Sequence, residues 1–494
     1  MNAPIPEQPL AETLLTSVIA LAGESGITRA TLTPSVRWAL TSLSLSMLMP
    51  SLDTSIANVG LPTLAGVFGA SFQDVQWIVL AYLLAITTLI VSAGRLGDLL
   101  GRRRLLLFGI ALFTVASLLC GVAPSLWLLI AARAAQGIGA AVMMALAMAL
   151  VGDMVPKAQS GSAIGLLGTM SAIGTTLGPS LGGILISGLG WRMIFLVNVP
   201  LGLLNFGLAL WTLPLDRRIP NAARTAFDAI GTVLLALALA AYALALTIGD
   251  GRVGPRNVAL LSAALLGVVL FVFAQARAAS PLVPLTMFRD STVSAGLAMS
   301  VLVSTVMMST LVVGPFYLSR ALGLDVPRVG LIMSVGPLVA SFAGVAAGRM
   351  VDRFGAQRMV IVGLIGMSVG FLALSVAPAM FGISGYVAAI VIVTADYALF
   401  QAANNTSMLT DVRPDLRGVI AGMVGLSRNL GLITGVSVMG AIFAFASAAT
   451  DITTAHASAI ADGMQATFIV GALLILAALA IATSRRVAIA SASH

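Results

Sequence analysis

The chain has 494 residues, 59% of them hydrophobic and 9% charged, with a mean hydropathy of +1.06 and a formal charge of +8. A water-soluble domain carries about 25% charged residues, so this composition excludes a soluble globule, and the long apolar runs exclude disorder. Fifty glycines and twenty prolines exclude one long coiled coil and suit membrane helices, where small residues let backbones approach and kinks are tolerated.

Residues 1–36 read as a flexible tail, and its apolar stretch Leu14 to Leu21 has acidic flanks and no basic region ahead of it, unlike a signal peptide. Fourteen segments then reach the ~20 residues that a bilayer-crossing helix needs. They span 38–62, 75–96, 104–122, 125–151, 161–187, 193–213, 227–248, 257–278, 291–319, 328–348, 358–377, 381–403, 417–446 and 464–484. With a cytoplasmic N-terminus, nineteen lysines and arginines fall in inside segments and five in outside ones, and Arg133 and Arg428 lie within helices. That bias is what the positive-inside rule expects and places both termini in the cytoplasm. The +8 charge is thus an orientation signal, and no nucleic-acid partner is expected.

Cys120 is the sole cysteine, and His456 and His494 are the sole histidines, which leaves no material for an internal disulfide or a Cys- or His-based centre. No metal or cofactor is expected. Glu7, Glu12 and Glu24 all precede the first long apolar run, so intramembrane charge falls to aspartate and arginine.

Internal repeats organise the rest. The stretch from Gly94 to Arg104 (GRLGDLLGRRR) recurs from Gly348 to Arg358 (GRMVDRFGAQR) at an offset of 254 residues. Independently, Gly161, Gly165, Gly168, Gly174, Gly178 and Gly183 of the fifth segment recur 257 residues on as Gly418, Gly422, Gly425, Gly431, Gly435 and Gly440. Segments 1–6 and 9–14 are therefore two versions of one six-helix unit, with segments 7 and 8 inserted. Parallel six-helix repeats around a central site are a transporter architecture. The expected fold is an all-α polytopic membrane protein divided into a tail (1–36), an N-terminal six-helix bundle (37–215), a two-helix insert (216–280), a C-terminal six-helix bundle (281–486) and a tail (487–494).

Several motifs follow in order: LDTSIANVGLP from Leu52, QWIVLAYLL from Gln76, GRLGDLLGRRR from Gly94, RAAQGIGAA from Arg133, GTTLGPSLGG from Gly174 and WRMIFLVNVPLG from Trp191. Together they resemble the fourteen-helix drug:proton antiporters of the major facilitator superfamily over about residues 45 to 445. The resemblance implies export by alternating access, with GTTLGPSLGG as the antiporter motif and Arg133 tied to proton coupling. It also implies that the loop carrying Gly94, Arg95, Asp98, Gly101 and Arg102 is a charge-paired latch, with Asp352 and Arg353 or Arg358 as its second-half counterpart. On physical grounds alone the same loop is structural, its glycines allowing tight turns and Asp98 capping or pairing with arginines. Gly174, Gly178 and Gly183 permit close packing and Pro179 bends the fifth helix, which the resemblance makes a seam against leak. Val436 stands where the repeat aligns Pro179, so the two seams are expected to differ.

Ionisable groups within the helices carry the most functional weight, because an unpaired charge at membrane depth costs at least ~2.5–3.5 kcal/mol. Asp53, three residues after Pro50, is the first candidate for proton exchange or cation contact, with a fixed ion pair as its bland alternative. Arg133 is its expected partner. Asp396 reads as a coupling or site residue or as an interhelical hydrogen-bonding group, and Arg428 as a counterion. Asp228 reads as an N-cap and Asp153 as a structural loop acid. Asn58, Tyr82, Gln136, Tyr317, Tyr397, Gln401 and Asn404 are candidates for a substrate cavity, although aromatic and methionine side chains in such helices mostly pack.

The expected function is proton-coupled export of hydrophobic or cationic drugs across the cell membrane by a monomer whose partners are protons, small molecules and lipid. Alternatives are export of a specific metabolite, siderophore or self-made antibiotic, and, more remotely, a membrane receptor or enzyme.

Overall fold

A computed structural model describes residues 34–155, 157–216, 228–248, 254–278, 281–283, 285–409, 417–447 and 455–492. The tail expected at residues 1–36 lies almost wholly outside them, as do Arg217, Arg218, Arg224, Arg252 and Arg413 of the orientation count. The described chain is helical throughout. The first six long helices are α1 (Pro34–Phe68), α2 (Phe72–Leu100), α3 (Arg102–Val122), α4 (Leu126–Met154), α5 (Lys157–Leu189) and α6 (Asn198–Thr212), the last preceded by a single turn at Met193–Leu196. An inserted pair follows, α7 (Ala229–Thr247) and α8 (Pro255–Arg277). The remainder comprises α9 (Ser291–Phe316), α10 (Val326–Phe354), α11 (Ala356–Leu409), α12 (Arg417–Thr434) and α13 (Ala457–Ala492). α13 continues through most of the stretch expected as a C-terminal tail.

Local chemistry sets the helix ends. Ser71 accepts from Asp74 N at 3.1 Å, and Asp290 accepts from Thr292 N at 2.7 Å, each satisfying donors that a helix start leaves open. Asp228 caps α7 as expected, accepting from Gly231 N at 2.8 Å, and its other oxygen accepts from Gln275 Nε2 of α8 at 2.6 Å. Gly101 joins α2 to α3 at φ 99°, a conformation that favours glycine.

Among the described residues, twelve helices are long and apolar enough to cross a membrane, against the fourteen segments expected. Two features make the difference. α1 is not among the twelve, because Asp53, Asn58 and a run of serines dilute its hydropathy. α11 counts once, yet its 54 residues would span about 80 Å as one helix, far beyond a ~30 Å hydrocarbon core. Gly382 breaks it (φ 57°, ψ −130°). The two halves return antiparallel on each other, with Gly363 against Phe400, Gly366 against Asp396 and Gly370 against Val393.

Glycine governs how the helices meet. A Cβ at Gly174 of α5 would lie 2.5 Å from Leu48 O of α1, and one at Gly431 of α12 would lie 2.5 Å from Val301 O of α9. Where the first ladder has Pro179, the second has a π turn, Gly435–Met439, before the helix resumes over Gly440–Ala446. Both devices interrupt the hydrogen-bond ladder, one by removing a donor and the other by inserting a residue. The carbonyl of Val436 in that turn accepts from Gln76 Nε2 of α2 at 3.1 Å. α7 flanks the same helix, with Trp77 Nε1 donating to Thr247 Oγ1 at 3.1 Å and Ser92 bonded to Thr232 at 2.9 Å. Large apolar side chains such as Trp211, Phe342, Phe381 and Phe445 stand exposed around the perimeter, as a lipid-facing surface requires. The chain is a multi-pass membrane protein.

Candidate functional site

Two polar features lie inside the helices, and α1 carries one on each side. The face through Pro50, Ser51, Thr54 and Ser55 lines a central cavity of about 560 Å³. Asp53 sits roughly 130° around the helix from the middle of that face and points into the first group of helices.

There Asp53 and Arg133 are both fully buried and form an ion pair through Arg133 Nη1 and Asp53 Oδ2. The remaining carboxylate oxygen accepts from Gln136 Nε2 at 2.8 Å and from Asn198 Nδ2 at 2.9 Å. Arg133 Nη1 also donates to Gln136 Oε1 at 2.7 Å, and its Nε donates to Ile78 O at 3.0 Å. Gln136 Nε2 reaches Ser117 at 2.8 Å. The guanidinium lies 4.2 Å from the centre of the Tyr82 ring, whose hydroxyl donates to Pro50 O at 3.1 Å. Five helices, α1, α2, α3, α4 and α6, thus share one charge-neutral network, held in a setting where an unpaired charge is costly. Asn198 has no counterpart among the residues expected at the site. Its place in the motif WRMIFLVNVPLG was visible, but nothing in that string said which helix it would face. Asn58 is buried one turn away, and neither of its amide atoms has a described partner.

The cavity is lined from both repeats, with Ser171 and Thr175 of α5, Thr310 of α9, Tyr386, Tyr397, Gln401 and Asn405 of α11, and Arg428 and Asn429 of α12. Met144, Met307 and Met333 add adaptable apolar surface. Of the seven substrate-cavity candidates, Tyr397 and Gln401 line it, and Gln401 Nε2 donates to the Tyr397 hydroxyl at 3.2 Å. The others sit elsewhere. Tyr82 and Gln136 belong to the buried network, and Asn58 lies beside it. Asn404 bonds to Gly296 O at 3.0 Å and Ser300 at 2.9 Å, tying α11 to α9. Tyr317 is buried behind Tyr386, its ring stacked at 6.1 Å, so Tyr386 is the residue that meets the cavity. Polarity identified these side chains, but polarity does not say whether a partner or an open space satisfies them.

Of the four ionisable candidates, only Arg428 lines the cavity. Asp396 is half-buried against Gly366 on the opposite half of α11, outside the lining.

One end of the cavity is shut. A Cβ at Gly183 of α5 would lie 2.8 Å from Val326 O and 3.0 Å from Pro327 Cα of α10. At the other end a Cβ at Gly168 or Gly344 would meet nothing within 4 Å, although both glycines line the cavity. The open end is the one that carries the repeated loops. In the first loop, Arg102 bonds to Asp98 at 2.9 Å and to Asp153 at 2.6 Å, so Asp153 is part of the charge cluster. Arg95 Nη2 donates to Pro281 O at 2.8 Å, across to the second half, while Gly94 meets no neighbour within 4 Å of a built Cβ. Asp216 accepts from the backbone amides of Arg103 and Arg104, at 2.8 and 3.1 Å, and closes the start of α3. The expected second latch is not made, since Asp352 is exposed and forms no ion pair with a described residue. Arg353 follows it directly, a spacing that turns the two side chains apart on a helix, whereas Arg102 stands four residues after Asp98. Arg353 instead lies over Phe354, at 5.2 Å. Among the described residues no three His, Cys, Asp or Glu side chains gather as a metal site requires.

Comparisons with known proteins agree with this plan. Residues 43–436 and 296–491 match the family model described as Major Facilitator Superfamily. The chain is 32% identical over 414 residues to the multidrug resistance protein Stp of Mycobacterium tuberculosis (strain CDC 1551 / Oshkosh), covering 82% of this chain and 75% of that one. It is 28% identical to the riboflavin transporter RibZ of Clostridioides difficile (strain 630), covering 83% and 88%. The fold matches the crystal structure of a bacterial homolog of the human lysosomal transporter Spinster in an inward-facing, occupied conformation, with a TM-score of 0.68 and 16% identity over 91% of this chain and 97% of that one.

Proposed function

The chain belongs to the Major Facilitator Superfamily, and on that footing we propose that it is a proton-coupled exporter of hydrophobic, drug-like organic molecules, acting as a monomer in the cell membrane by alternating access. Membership in a family of transporters sets aside the receptor and enzyme alternatives. The observation that carries the proposal is α1, which presents a cavity wall on one face and the buried Asp53–Arg133 network on the other. The wider resemblance to drug:proton antiporters supports fourteen passes, obtained by adding α1 to the twelve apolar helices and dividing α11 at Gly382. The working units are then the bundles 37–215 and 281–486 with the insert 216–280 between them. The charge bias orients the open end of the cavity toward the cytoplasm, where an exporter collects its cargo.

The coupling follows from the geometry. A proton on Asp53 removes the charge that offsets Arg133, and the network across α1, α2, α3, α4 and α6 must repack. Breaking a buried pair costs about 3–5 kcal/mol. One proton entering down a 100 mV potential supplies about 2.3 kcal/mol, and each pH unit adds about 1.4 kcal/mol, so one or two protons suffice. α1 holds α5 through Gly174 and Gly178, and α5 carries Gly183 of the shut end, so movement of α1 reaches the seal.

The test is dye export from cells and from proteoliposomes with an imposed pH gradient. Asp53→Asn should reduce gradient-driven export to background at normal protein levels, while Asp396→Asn should leave it within about twofold. Unchanged export by Asp53→Asn removes the network from the mechanism. A second reading, export of one specific metabolite, is supported by the ring of hydrogen-bonding side chains in the cavity and by the similarity to a riboflavin transporter. A substrate panel in which a single compound moves would favour it.

A further inference from the structure

Among the described residues, Arg428 is the sole ionised side chain in the cavity lining, and no carboxylate lines it. It lies about three turns into α12, exposed to the cavity, and among the described residues it forms no ion pair and makes no hydrogen bond. The two acids singled out within the helices are committed elsewhere. Asp53 is sealed with Arg133 on the far side of α1, and Asp396 is turned toward Gly366.

We infer that the cavity accepts planar organic anions, with the Arg428 guanidinium anchoring their carboxylate, sulfonate or phosphate group. A guanidinium that faces the cavity without a partner leaves its donors free, and its planar fork matches an oxyanion through two parallel hydrogen bonds. Amide groups of Gln401, Asn405 and Asn429 line the same cavity and offer further donors. Tyr386 and Tyr397 line it as well and offer aromatic surface to the body of the molecule. A cation entering the same space meets an uncompensated positive charge, which disfavours it. This specifies the substrate class of the site and rests on the export reading only for the direction of movement. It narrows the sequence-based expectation of hydrophobic or cationic cargo to the acidic members of such a set.

The experiment uses two dyes built on one xanthene ring, anionic carboxyfluorescein and cationic rhodamine 123. Binding to the purified full-length protein is read by fluorescence anisotropy, and movement is read in proteoliposomes under a pH gradient. Carboxyfluorescein should bind at least tenfold more tightly than rhodamine 123. Arg428→Gln should weaken carboxyfluorescein binding at least tenfold without weakening rhodamine 123, and Arg428→Lys should fall between, both with an unfolding temperature near that of the unaltered protein. Tighter binding of rhodamine 123, carboxyfluorescein binding that Arg428→Gln leaves within twofold, or failure to bind carboxyfluorescein would each overturn the inference. The movement arm separates it from the export reading. Carboxyfluorescein bound through Arg428 but not moved by the gradient upholds the anion site and sinks the export reading. Rhodamine 123 moved by the gradient while carboxyfluorescein neither binds nor moves does the reverse.

Discussion

In the first half of the molecule α5 lies on α1 through Gly174 and Gly178, and 257 residues later α12 lies on α9 through Gly431 and Gly435. The backbones repeat; the charges do not. The offsets of 254 and 257 carry Asp53 onto Met307 and Thr310, both of which line the cavity, and carry Arg133 onto Val387 and Ile390. The first half therefore encloses a neutral ion-pair network, while the second presents one guanidinium to open space. Packing is easily duplicated because two glycines suffice to bring two helices together. A buried charge is harder to duplicate, because each copy needs its own set of partners from neighbouring helices. The difference teaches that the two halves share their packing but not their charges: the buried ion pair belongs to the first half, and the charged group of the cavity lining belongs to the second.

The largest expected effect breaks the network from its basic side. Arg133→Gln leaves the Asp53 carboxylate buried without its cation and should cost about 3–5 kcal/mol of stability. The double variant Arg133→Gln with Asp53→Asn should recover more than half of that loss while remaining inactive in gradient-driven export. Thermal unfolding of the purified variants checks the first part and dye export the second. Additive losses would mean that the two residues act independently, and the comparison would fail on its first half.

A smaller effect concerns the shut end. Gly183→Leu places a side chain where α10 backbone already lies, whereas Gly188→Leu on the same helix enters open space. We expect Gly183→Leu to lower transport at least tenfold and, in a background carrying Cys120→Ser, to raise labelling of Met333→Cys, a buried position of the cavity lining, by an impermeant maleimide added on the side of the shut end. Gly188→Leu should change neither by more than about twofold. Equal behaviour of the two would show that the contact is not a gate.

The smallest effect compares the two loops. Partly exposed ion pairs contribute about 0.2–1 kcal/mol each, and Arg102 has two such partners where Asp352 has none among the described residues. Asp98→Asn should reduce transport a few-fold, and Asp352→Asn should stay within about twofold. A larger loss from Asp352→Asn would mean that the second latch closes in another conformation.

Much of the organisation was legible because it is written in local, one-dimensional signals. Hydropathy marked the helices, and the glycine spacings exposed the duplication before any contact was known. The helix count depends on which signal is read. Segment length picked out 38–62 and separated 358–377 from 381–403. Among the described residues of the folded chain, twelve helices are apolar and long enough, because α1 is diluted by polar residues and α11 counts as one helix across Gly382. The site was legible as a set of residue types but not as an arrangement. Asp53 and Arg133 stood out because charge is rare at membrane depth, yet their partner Asn198 lies 145 residues from Asp53 and carries no such mark.

Composition and spacing thus specify a duplicated bundle of membrane helices and a short roster of residues worth testing. Which of those residues are satisfied by one another and which face an open cavity is settled by packing alone. A helix offers every side chain a direction every 100° or so, and only the neighbours on each side determine whether that direction ends in a partner, as for Asp53, or in space, as for Arg428. The substitution of a π turn for Pro179 makes the same point. Two unrelated local sequences interrupt the helix at equivalent positions, and the requirement they meet exists only between helices.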